Sequence, residues 1–160
     1  MFLYLVQHAE AFSQEQYPDR PLTEEGYFQA QKTADMIRPL HLCVNGIWHS
    51  GKTRSLETAK IFQAAVTCSN ELFHHTGISP KDPVEPVAKE ILDRNHDLMI
   101  VGHLPFLSHL ACLLLTGNSK IEILSFRNAG IICLQCTEDR HWRIQWMVVP
   151  MILSGTKVAT

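Results

Sequence analysis

The stretch MFLYLVQHAEA, Met1 to Ala11, decides how the rest of the chain is read. Leu3 to Val6 is short, apolar and β-rich, the pattern of a strand buried on both faces of a parallel sheet. The run then stops on a polar pair, Gln7-His8. Asp97 to Val101 (DLMIV) is a second such run and stops on Gly102-His103. A third, Val44 to His49, stops on His49-Ser50, with Arg54 four residues on. Ligands of open α/β sheets bind at the carboxyl ends of the strands. Buried strands that each end on polar, reactive residues therefore predict a site along one sheet edge.

Helical patterns lie between the strands. Thr23 is placed to cap a helix whose first turn holds Glu24 and Glu25, favoured there by the helix dipole. Its apolar residues, Phe28, Ala30, Ala34, Met36 and Ile37, roughly follow helical spacing, and Pro39 ends it. A second helix is expected over Thr53 to Ala65, a short third over about Pro83 to Leu92, and an apolar fourth over Leu104 to Leu115, stopping near Gly117. Glu71 to His74 reads as a further strand, and the proline-bearing segment that follows as a loop. Gly130 to Cys136 and Trp142 to Val149 read as a hairpin turning at Glu138-Asp139-Arg140. The alternation predicts an α/β three-layer sandwich: a mostly parallel central sheet, helices on both faces and a C-terminal antiparallel hairpin. Residues 1–150 are expected to form a single domain and residues 151–160 a loose tail.

The chain of 160 residues is 46% hydrophobic, enough for a sizeable core, and its formal charge of −2 gives no footprint for nucleic acid or an anionic membrane surface. Its apolar runs fall well short of the ~20 residues of a transmembrane helix. The N-terminus lacks the pattern of a secretory leader, so a cytoplasmic location is expected. The five cysteines are odd in number and mostly in apolar contexts, as for reduced thiols. Cys133 and Cys136 form a CxxC, but on a strand their side chains point to opposite faces, so we read them as core. No cofactor and no metal is expected, because no HxH or HxxxH pair sits on an element near the proposed site.

If the three strands are neighbours, His8, His103 and Arg54 converge at one edge, and Asp19-Arg20-Pro21 can bring in a second guanidinium. Arginine offers a planar fork of donors and a permanent charge suited to phosphoryl oxygens. A neutral imidazole has a lone pair able to attack phosphorus, and nearby arginines favour that neutral form. A second imidazole can donate to an equatorial oxygen as charge shifts in the transition state. His8 is thus the expected nucleophile, Arg20 and Arg54 the clamp, and His103 the electrostatic partner. His41, His74, His75, His96, His109 and His141 read as structural; His49, beside Ser50, is a further candidate to line the pocket.

Four segments in this order resemble the histidine phosphatase superfamily, the phosphoglycerate mutase-like fold. Gln7-His8-Ala9 stands where the family has Arg-His-Gly or Arg-His-Ala. Arg20-Pro21-Leu22-Thr23-Glu24-Glu25-Gly26 resembles its RPLTxxG, Ser50 to Ala59 its SxxxRxxxTA, and Val101-Gly102-His103-Leu104-Pro105 its VGHxP. The likeness spans roughly residues 2–150. The chain has no room for the helices with which larger members roof the site, and so resembles the small, uncapped phosphohistidine phosphatases of the SixA type. That resemblance implies a phosphorylated His8 with Arg20, Arg54 and His103 around the phosphoryl group, and a phosphohistidine-bearing protein or small phosphorylated molecule as partner.

Two features depart from the pattern. Larger relatives carry a general acid after the third strand; here Asp82, Glu85 and Glu90 are nearby, none in a recognisable motif. A phosphoramidate needs such an acid less than a phosphoester does, because its P–N bond is weak and the leaving imidazole can be protonated from water. Gln7 is the second departure. It keeps an amide donor but loses the charge and fork of the family's phosphate-binding arginine. A hydrogen bond to a charged group contributes ~1.5–3 kcal/mol, so phosphoryl transfer is expected to slow roughly tenfold to a few hundredfold. The expectation is a weakened phosphohistidine phosphatase. The alternatives are a phosphatase of small phosphoesters and a non-catalytic phosphate-binding regulatory module.

Overall fold

The computed structural model describes residues 1–70, 72–121 and 123–153. Its strands are β1 (Phe2–Gln7), β2 (Cys43–Val44), β3 (Gly46–His49), β4 (Thr67–Cys68), β5 (Leu72–His74), β6 (Leu98–Gly102), β7 (Ile131–Cys136) and β8 (Trp142–Val148). Its helices are α1 (Glu24–Ile37), α2 (Thr53–Gln63), α3 (Glu85–Arg94), α4 (Phe106–Thr116) and α5 (Pro150–Leu153). Six strands form one sheet in the order β5-β3-β6-β1-β7-β8. The first four in that order run parallel, and β7 and β8 close the other side as an antiparallel hairpin.

Strand alternation divides the interior into two cores, one on each face. Tyr4, Val6, Ile47, Met99 and Val101 meet Ala30, Ala34 and Ile37 of α1 and Ala59 and Phe62 of α2. Leu3, Leu5, Trp48, Leu98 and Ile100 meet Val87 and Ile91 of α3 and Phe106, Leu107 and Leu110 of α4. These are the three layers expected. The cysteine pair obeys the same rule: Cys133 lies in the first core and Cys136 in the second, so they form no bridge. Burial pushes the Cys133 thiol up to about 12, with Asp97 adding to the effect.

Several boundaries differ from the sequence reading for local reasons. The Val44–His49 run is divided: Cys43–Val44 pairs with Thr67–Cys68 in a separate two-stranded sheet, and only Gly46–His49 enters the main one. Asp97 lies before β6; its Oδ1 accepts the Phe2 N–H at 2.6 Å, fastening the start of β1. On α1, Phe28 and Met36 are exposed, and Gly26 and Thr33 are buried in their stead. After Ile37 the chain tightens into a 3-10 turn over Arg38–Leu40 that accommodates Pro39. The expected loose tail begins as a helix, α5, lying against α1; residues 154–160 fall outside the described residues, as does Glu71 of the expected Glu71–His74 strand.

Thr23 caps α1 as expected: its Oγ1 accepts the Gly26 N–H at 3.0 Å. Gly26 has a second role. A Cβ built there would stand 2.0 Å from the backbone oxygen of Glu10, in the segment just beyond His8. Helix α1 therefore lies close against that segment only because this residue has no side chain. Gly26→Ala is expected to destabilise the fold by about 1–3 kcal/mol, since backbone must give way. Gly46→Ala, where a Cβ would meet nothing within 4 Å, is the control for lost glycine. Urea midpoints check this, and a Gly26→Ala chain as stable as the parent would reject the steric account.

Candidate active site

Register brings the polar strand ends together. Gln7 is paired with Gly102, and His49 with Val101, so β1, β6 and β3 end side by side. The His8 N–H donates to the Gly102 carbonyl at 3.0 Å, extending the β1–β6 ladder one residue into the site. The His8 and His103 rings lie 4.9 Å apart, inclined at 57°.

The tautomer of His8 follows from its contacts. Nδ1 lies 2.7 Å from the Ala9 carbonyl, which can only accept, so Nδ1 carries the proton. Nε2 then holds the lone pair and accepts from Arg54 Nε at 3.2 Å. Burial is the main force holding the His8 pKa down to about 4; the Ala9 carbonyl opposes it, and Arg54 and Arg20 reinforce it. His103 is pushed lower, to about 3, by burial first, then by His8, Arg54, Lys52 and Arg20. The uncharged imidazole is thus the resting form of both rings. Burial, with help from Arg20, also lowers the Arg54 pKa, but guanidinium stays charged in proteins.

Helix α2 supplies the scaffold. Arg54, Glu57 and Thr58 stand at i, i+3 and i+4 and share one face. Thr58 Oγ1 accepts the Ala9 N–H at 3.0 Å, and Glu57 Oε2 accepts the Leu22 N–H at 2.8 Å. One helix therefore holds the His8 segment and the Arg20-Pro21-Leu22 segment together while presenting Arg54. Arg20 has a left-handed backbone, φ 50°, and its Nε donates to the Phe12 carbonyl at 3.0 Å. On the far side, the Ser50 hydroxyl lies 2.5 Å from His103 Nε2. Ser55, fully buried, joins this corner to β6 by donating to the Val101 carbonyl and accepting the Ser50 N–H. The Nδ1 of His103 is buried and has no partner among the described residues.

Of the residues singled out in the sequence, His8, Arg54 and His103 are brought together, and Arg20 lies close enough to act on all three. Gln7 is turned aside: its Nε2 donates to Asn128 Oδ1 at 2.6 Å, and its Oε1 is buried without a partner. His49 is engaged in structure, its Nδ1 accepting the Gly51 N–H at 3.2 Å. The expected acids are engaged elsewhere or exposed. Asp82 accepts the Ser79 N–H, Glu85 is exposed at the start of α3, and Glu90 pairs with His75 and Arg94. No hydrogen bond or ion pair among the described residues joins any of the three to His8, Arg54 or His103. Nor do the described residues contain a group of three or more His, Cys, Asp or Glu side chains able to hold a metal, or a helix long and apolar enough to cross a membrane.

Sequence reasoning missed the positioning parts played by Ser50, Glu57 and Thr58, and the pairing of Asn128 with Gln7. The i, i+3, i+4 spacing from Arg54 was a usable signal for Glu57 and Thr58. Asn128 is 121 residues from Gln7 in the chain and left no local trace.

This arrangement has known counterparts. Residues 3–75 match the histidine phosphatase superfamily (branch 1). Among solved structures, the protein histidine phosphatase SixA complexed with tungstate superposes with a TM-score of 0.83 at 17% identity, covering 96% of this chain and 99% of that one. A protein from Agrobacterium tumefaciens assigned to SixA phosphohistidine phosphatases gives 0.74 at 20% identity, over 92% and 97% of the two chains. A phosphoserine phosphatase from Entamoeba histolytica, in complex with 3-phosphoglyceric acid, gives 0.64 at 19% identity, over 91% and 95%. No curated protein matches the sequence. The chain thus carries the superfamily's sequence pattern over residues 3–75 and its fold over nearly the whole length.

The depressed histidine pKa values set a direction for pH effects. As pH falls below the ordinary value of 6.5, the unfolded chain takes up protons that the folded His8 and His103 refuse until about 4 and about 3. Their contribution to stability is therefore intact above pH 6.5, is lost progressively below it, and levels off past the folded values. In an NMR titration of the imidazole nitrogens, both rings should be neutral at pH 6. A His8 midpoint near 6.5 would contradict the geometry.

Proposed function

We propose that this histidine phosphatase superfamily chain hydrolyses the phosphoryl group of a protein phosphohistidine through a phosphorylated His8. One observation carries the reading: the lone pair of a neutral His8 is aimed, through the Nδ1–Ala9 bond, at the place where Arg54 donates, with His103 beside it. A tetrahedral anion placed there accepts from Arg54 and meets the positive field of Arg20. His8 Nε2 attacks phosphorus; the new N–P bond forms as the P–N bond to the substrate imidazole breaks. The leaving nitrogen takes its proton from water. Water then attacks the phosphorus of phospho-His8, the N–P bond breaks, and inorganic phosphate leaves with neutral His8 restored.

Three things support a phosphohistidine substrate. The likeness to SixA structures covers nearly the whole of both chains. The chain has no length for an insertion roofing the site, so a side chain borne on another protein can approach. The carboxylates Asp82 and Glu85, read as candidate acids, lie outside the hydrogen-bonded cluster, which suits a leaving group that needs little acid assistance. A small-phosphoester substrate draws support from the phosphoserine phosphatase likeness, and a non-catalytic role from Gln7 alone.

His8→Ala is expected to lower turnover of a phosphohistidine peptide by about a thousandfold or more, as loss of a nucleophile does elsewhere. Brief mixing of the parent chain with a phosphohistidine donor should leave acid-labile, alkali-stable phosphate on residue 8. Faster turnover of phosphoserine than of the phosphohistidine peptide would favour the phosphoester reading. Undiminished turnover by His8→Ala would reject nucleophilic catalysis altogether.

A further inference from the structure

A cavity of about 310 Å³ opens at the end of the sheet opposite the candidate active site. Its floor is formed by Gly46 and Leu98, paired residues that begin β3 and β6. His103 follows Leu98 by five residues, so at about 3.3 Å per residue the cavity stands roughly 16 Å along the sheet from the His8–His103 pair. Strand alternation puts Gly46, Trp48 and Leu98 on the face that α3 covers, and the pairing of Trp48 with Phe73 puts the Phe73 ring there too. A Cβ at Gly46 would meet nothing within 4 Å, so the space above the floor is open. Ile91 and Arg94 of α3 roof it, and Phe73, 54% exposed on the edge strand β5, forms its outer wall.

Among the described residues the lining holds no Asp or Glu, and its one permanent charge is that of Arg94. That guanidinium is held in place with donors to spare. Its Nε donates to Glu90 Oε1 at 2.9 Å, its Nη2 stands at the same distance from that oxygen, and its carbon lies 5.4 Å from the centre of the Trp48 ring. Glu90 is shared, since its Oε2 lies 3.0 Å from His75 Nε2. Arg94 Nη1 has no partner among the described residues, and neither has the side-chain amide of Asn45, which also lines the cavity. An apolar floor and wall therefore meet unspent donors, one of them cationic.

We propose that this cavity is a binding site for a small aromatic carboxylate, separate from the candidate active site. The ring enters beside Phe73 over the open floor at Gly46, and the carboxylate accepts from Arg94 Nη1 and the Asn45 amide. The volume is at the low end of the ~300–1,000 Å³ usual for ligand sites, which limits the guest to one or two fused rings. Glu90 already offsets part of the Arg94 charge, so a single carboxylate suits the site and a doubly charged phosphate, repelled by Glu90, does not. The assignment is independent of the reaction at His8, because it uses none of the residues that surround that ring.

Titration with 2-naphthoate, followed in amide NMR spectra, tests the site, with naphthalene-2-carboxamide as the uncharged isostere. The acid should shift the amides of Gly46 and Phe73 to saturation and leave those of His8 and His103 unmoved. The carboxamide should bind about tenfold more weakly or worse, and Arg94→Gln should weaken the acid by a similar factor, as expected for a lost hydrogen bond to a charged group. Phe73→Ala, which removes an exposed ring, should weaken it by about twofold to tenfold. Gly46→Leu fills the floor and should abolish binding. If that chain does not fold, the carboxamide and Phe73→Ala decide. Equal affinity for acid and amide, affinity unchanged by Arg94→Gln, or the absence of a saturable shift would overturn the proposal. So would shifts confined to His8 and His103, which would place the probe in the candidate active site instead.

Discussion

Neighbouring strands of a parallel sheet are held about 4.8 Å apart by their hydrogen bonds, and that spacing governs this site. Because Gln7 is paired with Gly102, the residues that follow leave the sheet side by side, and the His8 and His103 rings stand 4.9 Å apart. Two imidazoles at such a distance cannot both be charged without large cost, and burial together with Arg54 and Arg20 removes the charge from each. The sheet thereby holds two neutral imidazoles beside the Arg54 guanidinium and within the field of Arg20. Slipping one strand by a single residue would turn its side chains to the other face and disperse the group.

Polar contacts around this pair divide into those that aim and those that attract. The Ala9 carbonyl fixes which nitrogen of His8 carries hydrogen, and Thr58 fixes Ala9. Ser50 fixes the ring of His103, and Ser55 fixes Ser50. Thr58 and Ser55 are fully buried. Arg54 serves both ends, since it donates to His8 Nε2 and carries a permanent positive charge. Gln7 belongs to neither class, being bound to Asn128 with its carbonyl oxygen left without a partner.

The architecture was legible because it depends on periodicity and strand ends. The runs at Leu3–Val6 and Leu98–Val101 are apolar on both faces, which marks central parallel strands, and the histidines after them come together at one sheet edge. Thr23 announced α1 through its cap. The misread positions share a cause, namely contacts between distant segments. Phe28 and Met36 look like core by composition, yet Gly26 and Thr33 are buried, and the segment after His8 lies directly against Gly26. The division of the second strand depends on pairing with Thr67–Cys68, which no local pattern reveals. Asp82 and Glu85 are candidates by position alone: in the fold Asp82 accepts the Ser79 N–H within a local turn, and Glu85 is exposed at the start of α3.

Helix α2 has one further implication. Thr58 grips the segment after His8, Glu57 grips the segment after Arg20, and Gly26 lets α1 close over the first of them. The His8 segment is therefore braced from two helices at once. Damage to that bracing would surface as misalignment of the His8 ring, out of proportion to any change in melting behaviour.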